Sequence, residues 1–292
     1  MSILATSKPL PVISSMPARD LRFCERAIDQ RWYMAGDPVS SAFLSALSAT
    51  FPLGEKFFID SVRRFGGKVH GKLAEDIRAF VVQEAFHTRE HLAFNKLVGD
   101  TGYATTAMTE RTRAVLKPFR AKGALRQLGL TMALEHFTAL FAHEVLTRES
   151  RLAPAPDHVR ALWRWHAMEE IEHKAVAFDT FVESTRQWSG LRRYAFRCQV
   201  MVEATRVLLS VVACNMNDLF VQDQLPRLAT WWQAIRYFFG LNGVLTSMAP
   251  AYLAWFRPGF QPWDIDDRAL VEVVAQELEA RDRTGQLAAE LA

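Results

Sequence analysis

Residues 162–179 read LWRWHAMEEIEHKAVAFD, and residues 81–91 read VVQEAFHTREH. Each stretch holds Glu-x-x-His: Glu84 with His87, and Glu170 with His173. On a helix, a spacing of three sets two side chains about 60° apart, so both reach one point on the same face. Apolar residues recur every three or four positions around the pairs, at Leu73, Ile77, Phe80 and Val81, and again at Leu162, Trp165, Met168 and Ile171. That period is helical and aims both pairs at a core. With 18 Glu and 8 His in 292 residues, chance would supply about half of one such pair. The two pairs gain weight only from further ligands beside them.

Those ligands are present. Glu55 lies 29 residues before Glu84, and Glu135 lies 35 before Glu170, each in its own helical segment among apolar neighbours. The order Glu…GluxxHis, twice over, is the order in which a four-helix bundle holds two iron or manganese ions. Four carboxylates buried without cations would repel and protonate, whereas two divalent ions balance them. The expected assignment is Glu55, Glu84 and His87 toward one ion, with Glu135, Glu170 and His173 toward the other, Glu84 and Glu170 bridging. His166, one turn before Glu170, is a further ligand candidate. His91, one turn after His87, is a candidate for orienting a ligand by hydrogen bond. Mixed oxygen and nitrogen donors favour iron or manganese, with zinc behind them. Thr138, Ala139 and Ala142 share the face of Glu135 and would leave room beside the metals, with Thr138 a hydrogen-bond donor. By the same helical geometry Glu172 points away from Glu170 and is expected in solvent.

Working outward, the helical period predicts segments over residues 38–65, 72–98, 119–148 and 157–183, then 191–220, 226–256 and an amphipathic tail over 266–282. No strand-like alternation of any length is present. The expected fold is all-α: an irregular lead-in over 1–37 with a short helix near 21–31, a ferritin-like four-helix bundle over 38–188, and accessory C-terminal helices over 189–292 that pack on it and offer a homodimer contact. Residues 1–15, MSILATSKPLPVISS, do not read as a signal peptide, because Pro9 and Pro11 interrupt any apolar run. Cys24, Cys198 and Cys214 form no CxxC pair, which argues against a disulfide framework or thiolate metal site and fits the cytoplasm. A net charge of +3 from 35 bases and 32 acids is no nucleic-acid footprint. The uncharged stretch 237–256 is long enough to cross a bilayer, yet Gly240, Asn242, Gly243 and Pro250 make it a poor span. With its neighbouring tryptophans and arginines it suits a core, an oligomer contact or a peripheral membrane contact.

The stretches FPLGEKFFIDSVRRF, VVQEAFHTREH, ALEHFTA, WRWHAMEEIEHKAVAFD and PAYLAWFRPGFQPWD resemble the bacterial family of predicted metal-dependent hydrolases, over roughly residues 15–285. The ligand order is also similar to the ferritin-like di-iron superfamily. The triplet His166, Glu170 and His173 is similar to the three-histidine variant of that site in the p-aminobenzoate N-oxygenases. That likeness implies a site activating dioxygen on Glu55, Glu84, His87, Glu135, His166, Glu170 and His173. The leading expectation is therefore a di-iron or di-manganese enzyme that oxidises a small or lipid-like apolar substrate with dioxygen. Two-metal hydrolysis and non-catalytic metal binding are the alternatives. Against hydrolysis stands the lack of a Ser, Lys or Arg cluster beside the ligands in sequence, Arg63 and Arg78 excepted.

Overall fold

Proline, glycine and a few polar side chains decide where the helical segments break. The computed structural model describes residues 16–290, with the side chains of residues 16–280. The reading of residues 1–15 lies outside them. The described residues are helical with no strand, so the fold is all-α.

The first predicted segment is two helices, α1 (Pro38–Ser48) and α2 (Phe51–Gly66). Asp37 caps α1 by accepting from the Ser40 amide at 2.8 Å, with Pro38 in the first turn. Pro52 causes the break: it has no N–H to give to the Ser48 carbonyl four residues earlier. That carbonyl accepts from Asn95 Nδ2 at 3.1 Å instead. The helix α3 (Lys72–Asp100) follows as expected. Sequence periodicity misses α4 (Thr106–Arg120), whose buried side is a single stripe of Met108, Thr112, Leu116 and Phe119 in a polar helix. The predicted third segment accordingly begins later, as α5 (Ala124–Thr147). The fourth is broken just after its histidine into α6 (Asp157–His173) and α7 (Val176–Ser184).

The C-terminal part runs as α8 (Gly190–Gln222), α9 (Arg227–Phe239), α10 (Val244–Ala254) and α11 (Arg268–Glu290). The stretch 237–256 is therefore not one helix. A Cβ on Gly243 would sit 2.4 Å from the Phe238 carbonyl oxygen, so the turn between α9 and α10 requires glycine there. The resulting 11-residue α10 is too short to span a bilayer. By length and composition alone α8 is long and apolar enough to cross one. It packs instead against α1, α4 and α5, burying Val200, Met201, Ala204, Val211, Met216 and Leu219.

The lead-in also departs from expectation. Residues 16–37 hold turns and extended chain, with no helix over 21–31. Their polar groups are tied across to α3: the Phe23 amide donates to Glu90 at 2.9 Å, and Arg89 donates to the Leu21 carbonyl at 2.6 Å. Backbone groups bound to another helix cannot also close helical turns of their own. The segment lies as a strap, with Phe23 against Trp165 at 5.3 Å between ring centres.

The helices α2, α3, α5 and the α6–α7 pair pack against one another around a common interior. Two apolar layers fill it. One joins α1, the later part of α3, α5 near Val145, α6 and the end of α8. The other joins Phe57, Phe58 and Val62 of α2 with Phe80, Leu128, Met132, Phe181 and Val200. Glu55, Glu84, Glu135 and Glu170 fall in the seam between these layers, each 2% exposed or less. Close approach of α5 and α8 fixes the frame: a Cβ on Gly129 would lie 2.6 Å from the Phe196 ring and 3.1 Å from Val200. Gly129→Val should overpack this contact and cost about 1–3 kcal/mol, read as a lower midpoint in denaturant titration.

Candidate metal centre

Each of the four helical elements sends acid or imidazole groups into the seam. Glu55 comes from α2, Glu84 and His87 from α3, Glu135 from α5, and His166, Glu170 and His173 from α6. All seven are buried. One donor atom each of Glu84, His87, Glu170 and His173 lies within 4.8 Å of the others, and Glu55, His87 and His166 form a second such group. The structure thus brings together every ligand candidate, and it groups His166 with Glu55 and His87. Glu135 joins through His173, whose Nδ1 stands 3.0 Å from its Oε2.

The atoms that find no hydrogen bond are informative. Glu55 Oε1, both oxygens of Glu84, His87 Nδ1, Glu135 Oε1, Glu170 Oε2 and His173 Nε2 are buried without a hydrogen-bond partner among the described residues. An orphaned buried polar atom costs about 1–3 kcal/mol, more when charged, so such atoms are rare even singly and seven at one point require a ligand. All are oxygen or imidazole nitrogen, with no thiolate among them. This donor set fits a pair of hard or borderline divalent cations.

The partners on the far side of each ligand fix its orientation. His87 Nε2 lies 3.1 Å from Glu169 Oε2, and donation there turns the Nδ1 lone pair into the site. Glu169 in turn accepts from Trp165 Nε1 and from Arg19, both at 3.1 Å. Arg19 also grips Glu172 through both terminal nitrogens, at 2.9 and 2.8 Å, and Gln83 Nε2 reaches the same carboxylate at 2.8 Å. Glu172, expected in solvent, is 5% exposed. It does point away from Glu170, but toward α3 and the strap, which cover that face of α6.

His166 is oriented by a chain of four groups. Ser48 Oγ donates to Asn95 Oδ1 at 2.7 Å, so its oxygen accepts from His91 Nδ1 at 2.8 Å. His91 Nε2 is then the unprotonated atom and accepts from His166 Nδ1 at 2.6 Å. This order turns His166 Nε2 toward the site, where it lies 2.8 Å from Glu170 Oε1. The break at Pro52 makes this relay possible, because Asn95 holds Ser48 through the carbonyl that the proline cannot engage. Thr88 Oγ1 donates to Glu55 Oε2 at 2.9 Å, leaving Oε1 to the site. The Thr138 hydroxyl donates to the Glu135 carbonyl at 2.9 Å, and the residue lines the cavity beside the site.

Burial and mutual charge set the proton affinities of the ligands in opposite directions. Burial, reinforced by the other carboxylates, pushes Glu55 and Glu84 well above the usual range. Burial likewise lifts Glu135, to about 7. Burial acts on Glu170 too, but His173, His166 and His87 outweigh it and hold that carboxyl down at about 2. Burial would lower His173, yet Glu170 and Glu135 carry it up to about 9. Burial and the neighbouring His166 hold His87 well below its ordinary value, as a neutral ligand must be.

Arg19, Ser48, Asn95 and Glu169 are absent from the sequence-based assignment. Arg19 and Ser48 lie far from the ligands along the chain, and no helical spacing links them to the site. Glu169 carried a signal, since it adjoins Glu170, but its partner His87 sits on another helix.

A family model described as predicted metal-dependent hydrolase matches residues 17–266. No curated protein and no solved structure matches the chain. None of these comparisons supports the expected likeness to the p-aminobenzoate N-oxygenases.

Glu170→Ala should abolish binding of the metal pair, measured as metal content per chain after dialysis; two ions retained would contradict the ligand assignment. Arg19→Ala should keep the stoichiometry but weaken affinity about 10–100-fold, because Glu169 loses its anchor and His87 its orientation. Metal binding must expel the protons held by Glu55, Glu84 and His173. Calorimetry at pH 7 in buffers of different ionisation enthalpy should show release of about two to three protons per chain, and affinity should rise as pH rises toward 9.

Proposed function

We propose that this chain, which belongs to the family of predicted metal-dependent hydrolases, cleaves an ester or amide with a long apolar portion. The observation that carries this reading is the junction of the orphaned ligand atoms with an apolar cavity of about 280 Å³. Glu55, His166 and Glu170 line the inner end of that cavity, and Phe51, Phe58, Leu134 and Phe137 are among its walls. Glu84, His87, Glu135 and His173 stand outside its lining. Substrate therefore meets the centre from the Glu55–His166 side.

A bound pair of divalent ions, iron or manganese ahead of zinc, would supply a hydroxide nucleophile at neutral pH and a Lewis acid for the scissile carbonyl. Among the described residues, neither Thr138 nor Arg63 or Arg78 is placed to donate to an oxyanion at that point. The Thr138 hydroxyl is engaged by a backbone carbonyl, and Arg63 and Arg78 are exposed. What the residues contribute is placement. The aromatic walls hold the apolar portion and keep bulk water from the carboxylates. Glu169 and the Ser48–His91 relay hold His87 Nδ1 and His166 Nε2 toward the site.

A second reading, oxidation of the apolar substrate with dioxygen in a ferritin-like bundle, is supported by the same lack of an oxyanion donor among these three residues and by the carboxylate-rich donor set. The two part on the need for oxygen. Hydrolysis of nitrophenyl esters by the iron- or manganese-loaded protein should proceed without air and stop on chelation. Oxygen consumption with no ester cleavage would replace hydrolysis by oxidation.

Cavity length provides a further check. Gly54 lines the cavity, and a Cβ there meets nothing within 4 Å, so a larger side chain at this position grows into open space. Gly54→Leu should retain both metals while lowering kcat/KM at least about tenfold for long acyl chains relative to short ones, a one-to-two-methylene effect per subsite.

A further inference from the structure

The apolar cavity leads outward between α8, α9 and α10, past Leu208, Trp231, Phe238, Leu245 and Met248. Two of its lining residues are also at the surface: Leu209 is 42% exposed and Phe239 is 63% exposed. They mark the mouth. Beside it, α9 presents Leu228, Trp232, Ile235 and Phe239, at spacings of four, three and four, on a single face. Leu228 is 88% exposed, Trp232 62%, and Leu241 in the next turn is completely exposed. Thr230 and Ala234 of the same helix are buried, so α9 is seated by one side and bare on the other.

The segment that carries this face holds charge of one sign. No Asp or Glu falls between Asp223 and Asp264, whereas Arg227, Arg236 and Arg257 do. Arg227 and Arg236 are exposed, and neither forms an ion pair with a described residue. An exposed apolar ridge with tryptophan at its centre and unpaired arginines at its margins matches the boundary layer of an anionic bilayer, with rings among the acyl chains and guanidinium groups at the phosphates. A protein partner offering only apolar contact would leave those arginines unanswered.

We propose that the α9 ridge docks the protein on an anionic lipid surface, so that the cavity mouth opens directly onto the acyl-chain layer and draws its substrate from it. The source of substrate rests on the hydrolytic reading above; the docking itself does not. Arg227 and Arg236 set the preference for acidic headgroups, and Leu228 and Trp232 provide the apolar insertion.

The test uses the full chain, metal-loaded, with vesicles of phosphatidylcholine alone or mixed with phosphatidylglycerol. Co-sedimentation should be at least about tenfold stronger with the anionic vesicles and should weaken as salt rises. Leu228→Asp with Trp232→Asp should remove binding to both vesicles. Arg227→Glu with Arg236→Glu should remove only the advantage of the anionic ones. Neither pair lines the cavity, so metal content and cleavage of a short, water-soluble ester should be unchanged, which shows that the variants fold. No sedimentation of the parent protein with anionic vesicles would overturn the proposal. So would a stable dimer that the Leu228→Asp, Trp232→Asp variant dissociates, since a second copy would then be the occupant of the ridge. Because sedimentation is read without turnover, loss of the hydrolytic reading would leave the docking result standing, and the reverse also holds.

Discussion

Four carboxylates in a dry interior are the constraint to which the rest of this structure answers. Glu55, Glu84, Glu135 and Glu170 converge from four helical elements into a seam between two apolar layers. Left to themselves, such groups repel, take up protons and leave oxygens without partners. Burial and the neighbouring carboxylates raise the proton affinity of Glu55 and Glu84, and each of the four keeps a buried oxygen with no hydrogen-bond partner among the described residues. Divalent cations would remove them together. The surrounding fold can tolerate the strain of the seam because the packing of Phe57, Phe80, Leu128, Trp165 and their neighbours holds the helices independently of it.

Orientation comes from outside the ligand set. Arg19 on the lead-in strap reaches Glu169, which holds His87; Asn95 and Ser48 reach His91, which holds His166. Both arrangements depend on breaks in regular structure. The strap is extended because its amides and carbonyls are bound to α3, and Ser48 is available because Pro52 cannot continue α1 into α2. An irregular chain thus contributes to a site that the helices alone would leave free to rotate. The same economy of contacts links site and surface: the cavity that starts at Glu55 and His166 ends at Phe239, on the helix face that has no cover of its own.

Legibility in the sequence followed the range of the interaction. Glu-x-x-His is a relation within one helical turn, so Glu84–His87 and Glu170–His173 could be read from spacing, and the solitary Glu55 and Glu135 from their apolar surroundings. Glu172 was misjudged for a reason that is also local. Helical geometry gave its direction correctly but could not say that α3 and Arg19 occupy that direction. The same limit hid α4, whose buried stripe is too narrow to stand out from a polar helix, and the break after His173.

By itself, then, the sequence determined the all-α class, the approximate helices and the residue types able to hold two cations, because these depend on periodicity and side-chain chemistry along a few turns. Only the tertiary structure decided which donors face one another, which partners fix the proton positions on His87 and His166, and where the cavity reaches the surface. Those are meetings of groups far apart in the chain, from 38 residues between Glu135 and His173 to 150 between Arg19 and Glu169, and they exist only once packing has set the helices side by side.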